Sequence, residues 1–215
     1  MPQPAVVIMA RAPRAGTVRR ALEPALGRAR CAALQAALTQ RAAAWASEVA
    51  PGAVHVAYEP AASGPELRGL LGPEVFLFPQ NGEGIAGRLA DATARVFGHI
   101  DGPMLIIWPE LARWRPEHAT GALDDMRDGC DVTLGPVVGG GFYLIAIAKP
   151  LPSLFGLPEK AWRGPDVMSL ALPATIEAGL EVGILRTERG MHSPEDLRAA
   201  LADPLLAGVI GGALS

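Results

Sequence analysis

Residues 131–147 read DVTLGPVVGGGFYLIAI, and the architecture hinges on them. Val132-Thr133-Leu134 and Phe142 to Ile147 are apolar, β-branched or aromatic runs of strand length. Between them stand Gly135-Pro136 and the triple glycine Gly139-Gly140-Gly141. Glycine in regular structure costs roughly 0.5–1 kcal/mol relative to alanine, so three in a row need a cause. The available causes are positive φ, a bulge, or a backbone that a ligand approaches closely. Two readings stand: a plain turn, or the floor of a ligand cleft.

The flanking sequence favours the cleft. Upstream, Ala5 to Ala10, Val54 to Tyr58, Val75 to Phe78 and Pro103 to Trp108 are short apolar runs, the pattern of strands covered on both faces. Helical spacing fills the gaps over 28–49, 65–71, 85–97 and 116–127. Downstream come a helical turn at 151–155, a helix over 165–179 and a strand over 181–185. A last helix opens at Ser193, with Ser193 as N-cap and Pro194 in the first turn. Strands alternating with helices imply a three-layer α/β/α sandwich with a mainly parallel central sheet, formed by right-handed crossovers. Residues 1–215 read as one domain. In such sheets ligands bind outside the carboxyl ends of the strands, where the loops after the first, third and fourth strands and the glycines would gather.

Bulk properties exclude several classes. The 215 residues are half hydrophobic, with only 5% aromatic, so the core is mostly aliphatic. A net charge of −3 argues against a nucleic-acid partner, which usually needs a basic face. Cys31 and Cys130 have no His or Cys at metal spacing, so a disulfide framework or zinc site is not expected. No run of about 18 apolar residues is present and no leader pattern opens the chain, so the expectation is a cytoplasmic protein without a membrane. The apolar stretch after Pro204 is a candidate contact in a homo-oligomer.

The loop after the first strand, MARAPRAGTVRRALEP, has neither GxGxxG nor GxxxxGK[ST]. Ala10, Arg11, Arg14, Gly16, Arg19 and Arg20 nonetheless form a basic, glycine-containing loop before a helix. Such a loop can hold a diphosphate through guanidinium groups and backbone N–H, or it is simply a solvated basic loop. Glu110 follows the fourth strand, well placed to hold Mg²⁺ or Mn²⁺ against substrate phosphates, or to be an ordinary surface acid. His192, after the last strand, is a candidate ligand or base. Gln80 and Arg88, with Asn81 and Glu83, are candidates to contact a sugar or acceptor, or to cap the helix. Gly139, Gly140 and Gly141 would form the substrate-binding floor. Trp108, Trp114 and Trp162 can stack on a ligand or pack in the core.

The segments MARAPRAGTVRRALEPALG, PQNGEGIAGRLADA, PMLIIWPEL, DVTLGPVVGGGFYLIAI and SPEDL resemble, in this order, a bacterial family of glycosyltransferase-A-type proteins. That family is distantly similar to the molybdenum-cofactor guanylyltransferases. The resemblance covers nearly the whole chain and implies a nucleotide-diphospho-sugar transferase fold, a nucleotide-activated donor and a divalent metal. The departures fall on acidic positions. The family's Lys-Thr-Arg in the first loop corresponds to Arg19, Arg20 and Ala21. Its Gly-Thr-Asp-Ser-Pro-Asp-Leu corresponds to residues 108–114, so Glu110 replaces the metal-binding Asp and Arg113 the second Asp. Its Asp-Gly-Gly corresponds to Gly139-Gly140-Gly141. Its Asp-x-Asp before Thr-Pro-Glu-Asp-Leu corresponds to Gly190-Met191-His192. The resemblance thus implies a transferase whose metal site is reduced to Glu110 and His192. The alternative is a catalytically degenerate member, a pseudoenzyme that binds a nucleotide or sugar or partners another subunit. A third reading is a metal-independent transferase in which Arg19 and Arg20 replace the cation.

Overall fold

The computed structural model describes residues 2–156, 162 and 167–214. Seven strands form one sheet in the order β3-β2-β1-β4-β6-β5-β7. They are β1 (Ala5–Arg11), β2 (Val54–Glu59), β3 (Phe76–Pro79), β4 (Met104–Ile107), β5 (Val132–Pro136), β6 (Phe142–Ile147) and β7 (Val182–Ile184). The helices are α1 (Glu23–Val49), α2 (Gly64–Leu71), α3 (Gly84–Phe97), α4 (Pro116–Arg127), α5 (Pro152–Phe155), α6 (Val167–Glu177), α7 (Pro194–Ala202) and α8 (Pro204–Leu214). The expected helix over 165–179 begins within residues that are not described. In α1 the backbone breaks at Gly27 (φ 75°, ψ 162°), so the continuous helix starts at Arg28, where the apolar spacing starts.

The strand residues divide between two cores by alternation. Ala5, Val7 and Met9 of β1 join Met104 and Ile106 of β4 in a core covered by α3, α5 and α6. Val6, Ile8 and Ala10 join Leu105 and Ile107 in a core covered by α1 and α4. The β4 run is buried on both faces, worth about 1.5–3 kcal/mol per large aliphatic side chain. This is why it shows no polar alternation. A third apolar cluster, with Leu34 and Leu38 of α1, Leu197 of α7 and Ile210 of α8, buries part of the tail.

One strand departs from uniform parallel pairing. β6 runs antiparallel to both β4 and β5. The glycines make this reversal: Gly139, Gly140 and Gly141 have φ of 87°, 106° and 91°, the region that disfavours a Cβ. Val137 N–H donates to Gly141 O at 3.0 Å, closing the hairpin. Because β6 is reversed, its first residue lies at the same edge as the carboxyl ends of β1, β2 and β4. Going outward from β1, the chain order runs to β2 and β3 on one side and to β4 on the other, the kind of switch point at which α/β sheets open a crevice.

Candidate functional site

A cavity of about 550 Å³ opens at this edge. β1 delivers Met9, Ala10 and Arg11; β2 delivers Glu59; the loops after β1, β3, β4 and β7 deliver Arg19 and Arg20, Gln80, Glu110, and His192. Gly140 and Gly141 reach it from the hairpin, and Arg88 from the first turns of α3. The loop after β4 turns sharply, with Glu110 N–H donating to Trp108 O at 2.8 Å. Met191 N–H then donates to Glu110 O at 3.0 Å. This single backbone bond brings the loops after β4 and β7 together, and His192 Nε2 lies 3.2 Å from Glu110 Oε2. Gly190 allows the approach: a Cβ there would meet His192 Nε2 at 2.3 Å and Cδ2 at 2.6 Å.

Arg19 ties three segments at once. It holds a left-handed backbone conformation, φ 51°, and its Nε donates to Gln35 Oε1 at 2.8 Å. Its Nη1 donates to Met191 O at 2.8 Å and its Nη2 to Pro109 O at 2.6 Å. Burial lowers its pKa, against the pull of Glu110 and Cys31. A guanidinium stays charged in proteins, so a fixed cation stands between the segments that carry Glu110 and His192. Three of its five N–H groups are spent on the protein. Arg20 differs: it is exposed on the cavity, and its guanidinium makes no hydrogen bond or ion pair with another described residue. Glu59 joins two further cations, with its Oε1 accepting from Arg11 Nε at 2.7 Å and its Oε2 accepting from Arg88 Nη1. Gln80 Nε2 donates to Ala57 O at 2.9 Å and Ala10 O at 3.2 Å, bracing β1 against β2.

Residues 28–158 match the family described as "Uncharacterized protein conserved in bacteria (DUF2064)". The chain belongs to this family. No curated protein matches it in sequence. Among solved structures, a protein of Desulfovibrio desulfuricans G20, provisionally named a nucleotide-diphospho-sugar transferase, superposes with a TM-score of 0.84. The two are 22% identical over 99% of each chain. CMP:2-keto-3-deoxy-manno-octonic acid synthetase, solved with CTP, superposes with a TM-score of 0.57 at 16% identity, over 96% of this chain and 99% of that one. Molybdopterin-guanine dinucleotide biosynthesis protein A of Archaeoglobus fulgidus gives 0.52 at 14% identity, over 91% and 95%. The DUF2064 chain therefore has the nucleotide-diphospho-sugar transferase fold, as the sequence resemblance implied.

Within this DUF2064 fold the expected site residues separate. Ala10, Arg11, Arg19, Arg20, Gln80, Arg88, Glu110, Gly140, Gly141 and His192 all line the cavity. Arg14, Gly16 and Gly139 do not. Arg14 is drawn away by Glu66, with Nε–Oε2 at 2.9 Å, and a Cβ on Gly139 would meet nothing within 4 Å. Trp108 and Trp162 line the cavity, whereas Trp114 stacks on Trp45 with centroids 4.6 Å apart. Glu59 was missed by the sequence reading, although it ends a strand just as Glu110 follows one. Among the described residues, no group of three or more His, Cys, Asp or Glu side chains is arranged to hold a metal ion. Nor is any described helix long and apolar enough to cross a membrane.

A second polar cluster lies behind the post-β4 loop. His118 Nδ1 accepts from Arg115 N–H at 3.3 Å, which leaves the ring proton on Nε2, 3.3 Å from Glu188 Oε1. Arg115 also pairs with Glu188. Burial lowers the His118 pKa, and the hydrogen bond and charge of Glu188 only partly offset this. Tyr143, whose ring centroid lies 5.0 Å from that of His118, has its phenol pushed up by burial and by Glu188. This cluster anchors Val138, whose N–H donates to Glu188 O at 2.8 Å, and so fixes the glycine hairpin.

Proposed function

We propose that this protein transfers a sugar or nucleotidyl group from a nucleotide-activated donor held in the cavity. The observation that carries the reading is the ring of Arg11, Arg19, Arg20 and Arg88 at the switch point of the sheet, with Arg20 exposed and unpaired among the described residues. Guanidinium groups match phosphate oxygens in charge and geometry. In the sugar case, the acceptor oxygen bonds to the anomeric carbon. The bond from that carbon to the diphosphate breaks with its electron pair going to the diphosphate, where the arginines stabilise the departing charge. Glu110 takes the acceptor proton, and His192, 3.2 Å away, orients the carboxylate. The CTP complex of a protein with this fold supports a nucleotide ligand.

The pair of Glu110 and His192 also suits one divalent ion, Mg²⁺ or Mn²⁺, if donor phosphates complete its shell. Such an ion would neutralise leaving-group charge. Arg19 already supplies a fixed charge beside that pair, so donor binding is expected without the ion, and the ion adds to it. The degenerate reading rests on the missing acids alone and predicts binding without transfer.

A thermal-shift screen of nucleotides and nucleotide sugars, with and without Mn²⁺, tests the proposal. A stabilising nucleotide whose effect shrinks in Arg20→Ala supports the site. A Mn²⁺ increment lost in Glu110→Ala assigns the ion to that pair. No stabilisation by any nucleotide contradicts the proposal.

A further inference from the structure

The cavity has two chemically different walls. One carries Arg11, Arg19, Arg20, Arg88, Glu59 and Glu110. The other is made by Met9, Ile85, Trp108, Phe142, Trp162 and Val167. These six belong to, or pack on, the same apolar core beneath the sheet, so the core itself surfaces in the cavity. Phe142 and Trp162 meet edge to face, with centroids 6.4 Å apart. Trp108 and Ile85 are half-buried and complete the surface toward the loop after β4 and the start of α3. The hairpin that supplies Gly140 and Gly141 also exposes Val138, at 45%.

The diphosphate of a donor uses the first wall and has no need of the second. A polyhydroxylated acceptor placed on the second would bury hydroxyls against hydrocarbon, leaving them unpaired, which is unfavourable. A flat or branched apolar body would instead exclude water from aromatic and aliphatic surface. Resting on the donor reading above, we propose that the accepting substrate is an alcohol with an apolar, aromatic-sized body. It seats that body against Ile85, Trp108, Phe142 and Trp162 and directs its hydroxyl toward Glu110.

The test is calorimetric titration of the full chain with 2-naphthol and, in parallel, with methyl glucoside. One saturable 2-naphthol site is expected, weakened at least about tenfold in both Trp108→Ala and Ile85→Asn, each checked for folding by circular dichroism. If Trp108→Ala folds poorly, Ile85→Asn at the edge of the wall carries the comparison. Absence of 2-naphthol binding, equal binding to the variants, or a preference for methyl glucoside would each overturn the proposal. A UDP thermal shift keeps the two readings apart, and 2-naphthol should still bind at saturating UDP; loss of its site there would give the wall to the nucleobase and overturn the proposal. A UDP shift without 2-naphthol binding sinks this inference and leaves the donor reading standing. 2-Naphthol binding in a protein that no nucleotide stabilises would remove the donor reading, and with it the acceptor role, leaving only an apolar-alcohol site.

Discussion

Arg19→Met removes a charged donor from three acceptors while keeping most of the apolar stem. The lost hydrogen bonds run to Gln35 at 2.8 Å, Met191 at 2.8 Å and Pro109 at 2.6 Å. A hydrogen bond to a charged group contributes about 1.5–3 kcal/mol, so three set a ceiling of about 4–9 kcal/mol. Arg19 is only half-buried by its own surface, and water can reach part of the vacated space. Halving the ceiling gives an expected loss of about 2–4.5 kcal/mol, a large part of a typical domain's stability of about 5–15 kcal/mol. The left-handed backbone at φ 51° burdens both side chains equally and cancels. Urea unfolding at constant m-value measures the difference. Arg19→Lys should fall between the two, because one ammonium cannot span all three acceptors. A loss below about 1 kcal/mol in Arg19→Met would refute the claim that this residue joins the first loop to the loops after β4 and β7.

Gly190→Ala places a methyl 2.3 Å from His192 Nε2 and should swing the ring off Glu110. Because the imidazole is the movable end of a part-exposed side chain, the melting temperature should change little. A transfer assay should then show a fall of about 100-fold, the lower range for losing general acid–base assistance, and an unchanged rate would remove His192 from the mechanism. Stability should also depend on pH through His118. Its pKa is lowered by burial, so the folded state favours the neutral ring. That contribution is present above the unfolded value of about 6.5 and is lost as pH falls below it. Urea midpoints should decline as pH falls below about 6.5, and less so in His118→Gln; parallel declines would assign the loss elsewhere. Asp196 acts lower on the scale. Burial raises its pKa, but Arg189, Ser193 and the backbone N–H groups of His192 and Ser193 outweigh this and hold it down. Its stabilisation should persist until pH falls below about 4, and Asp196→Asn should flatten that acid limb.

Much of the architecture was legible because it rests on local signals. The buried strands read as continuous apolar runs, and Pro116–Arg127 is a helix where spacing places one. Ser193 caps α7 through Asp196 as its hydroxyl suggests. The antiparallel course of β6 was not legible, since alternating strands and helices suggest parallel pairing. The three positive-φ glycines shorten a crossover to a hairpin, and only chain length between the strands signals it. The cavity wall was legible residue by residue where a side chain follows a strand end, as at Arg11, Gln80 and Glu110. Two assignments needed long-range contacts that no local pattern carries. Arg19 meets Met191, 172 residues away, so a residue resembling a phosphate ligand spends three donors on the protein. Arg14 is turned aside by Glu66, 52 residues on.

The central claim is that the arginine-lined end of the sheet binds the diphosphate of a nucleotide. A crystal structure grown with the nucleotide that most raises the melting temperature tests it directly. The diphosphate is expected within hydrogen-bonding distance of Arg20, with Glu110 and His192 facing its outer phosphate. A nucleotide seated elsewhere on the protein, or a diphosphate making no contact with Arg11, Arg19, Arg20 or Arg88, would contradict it.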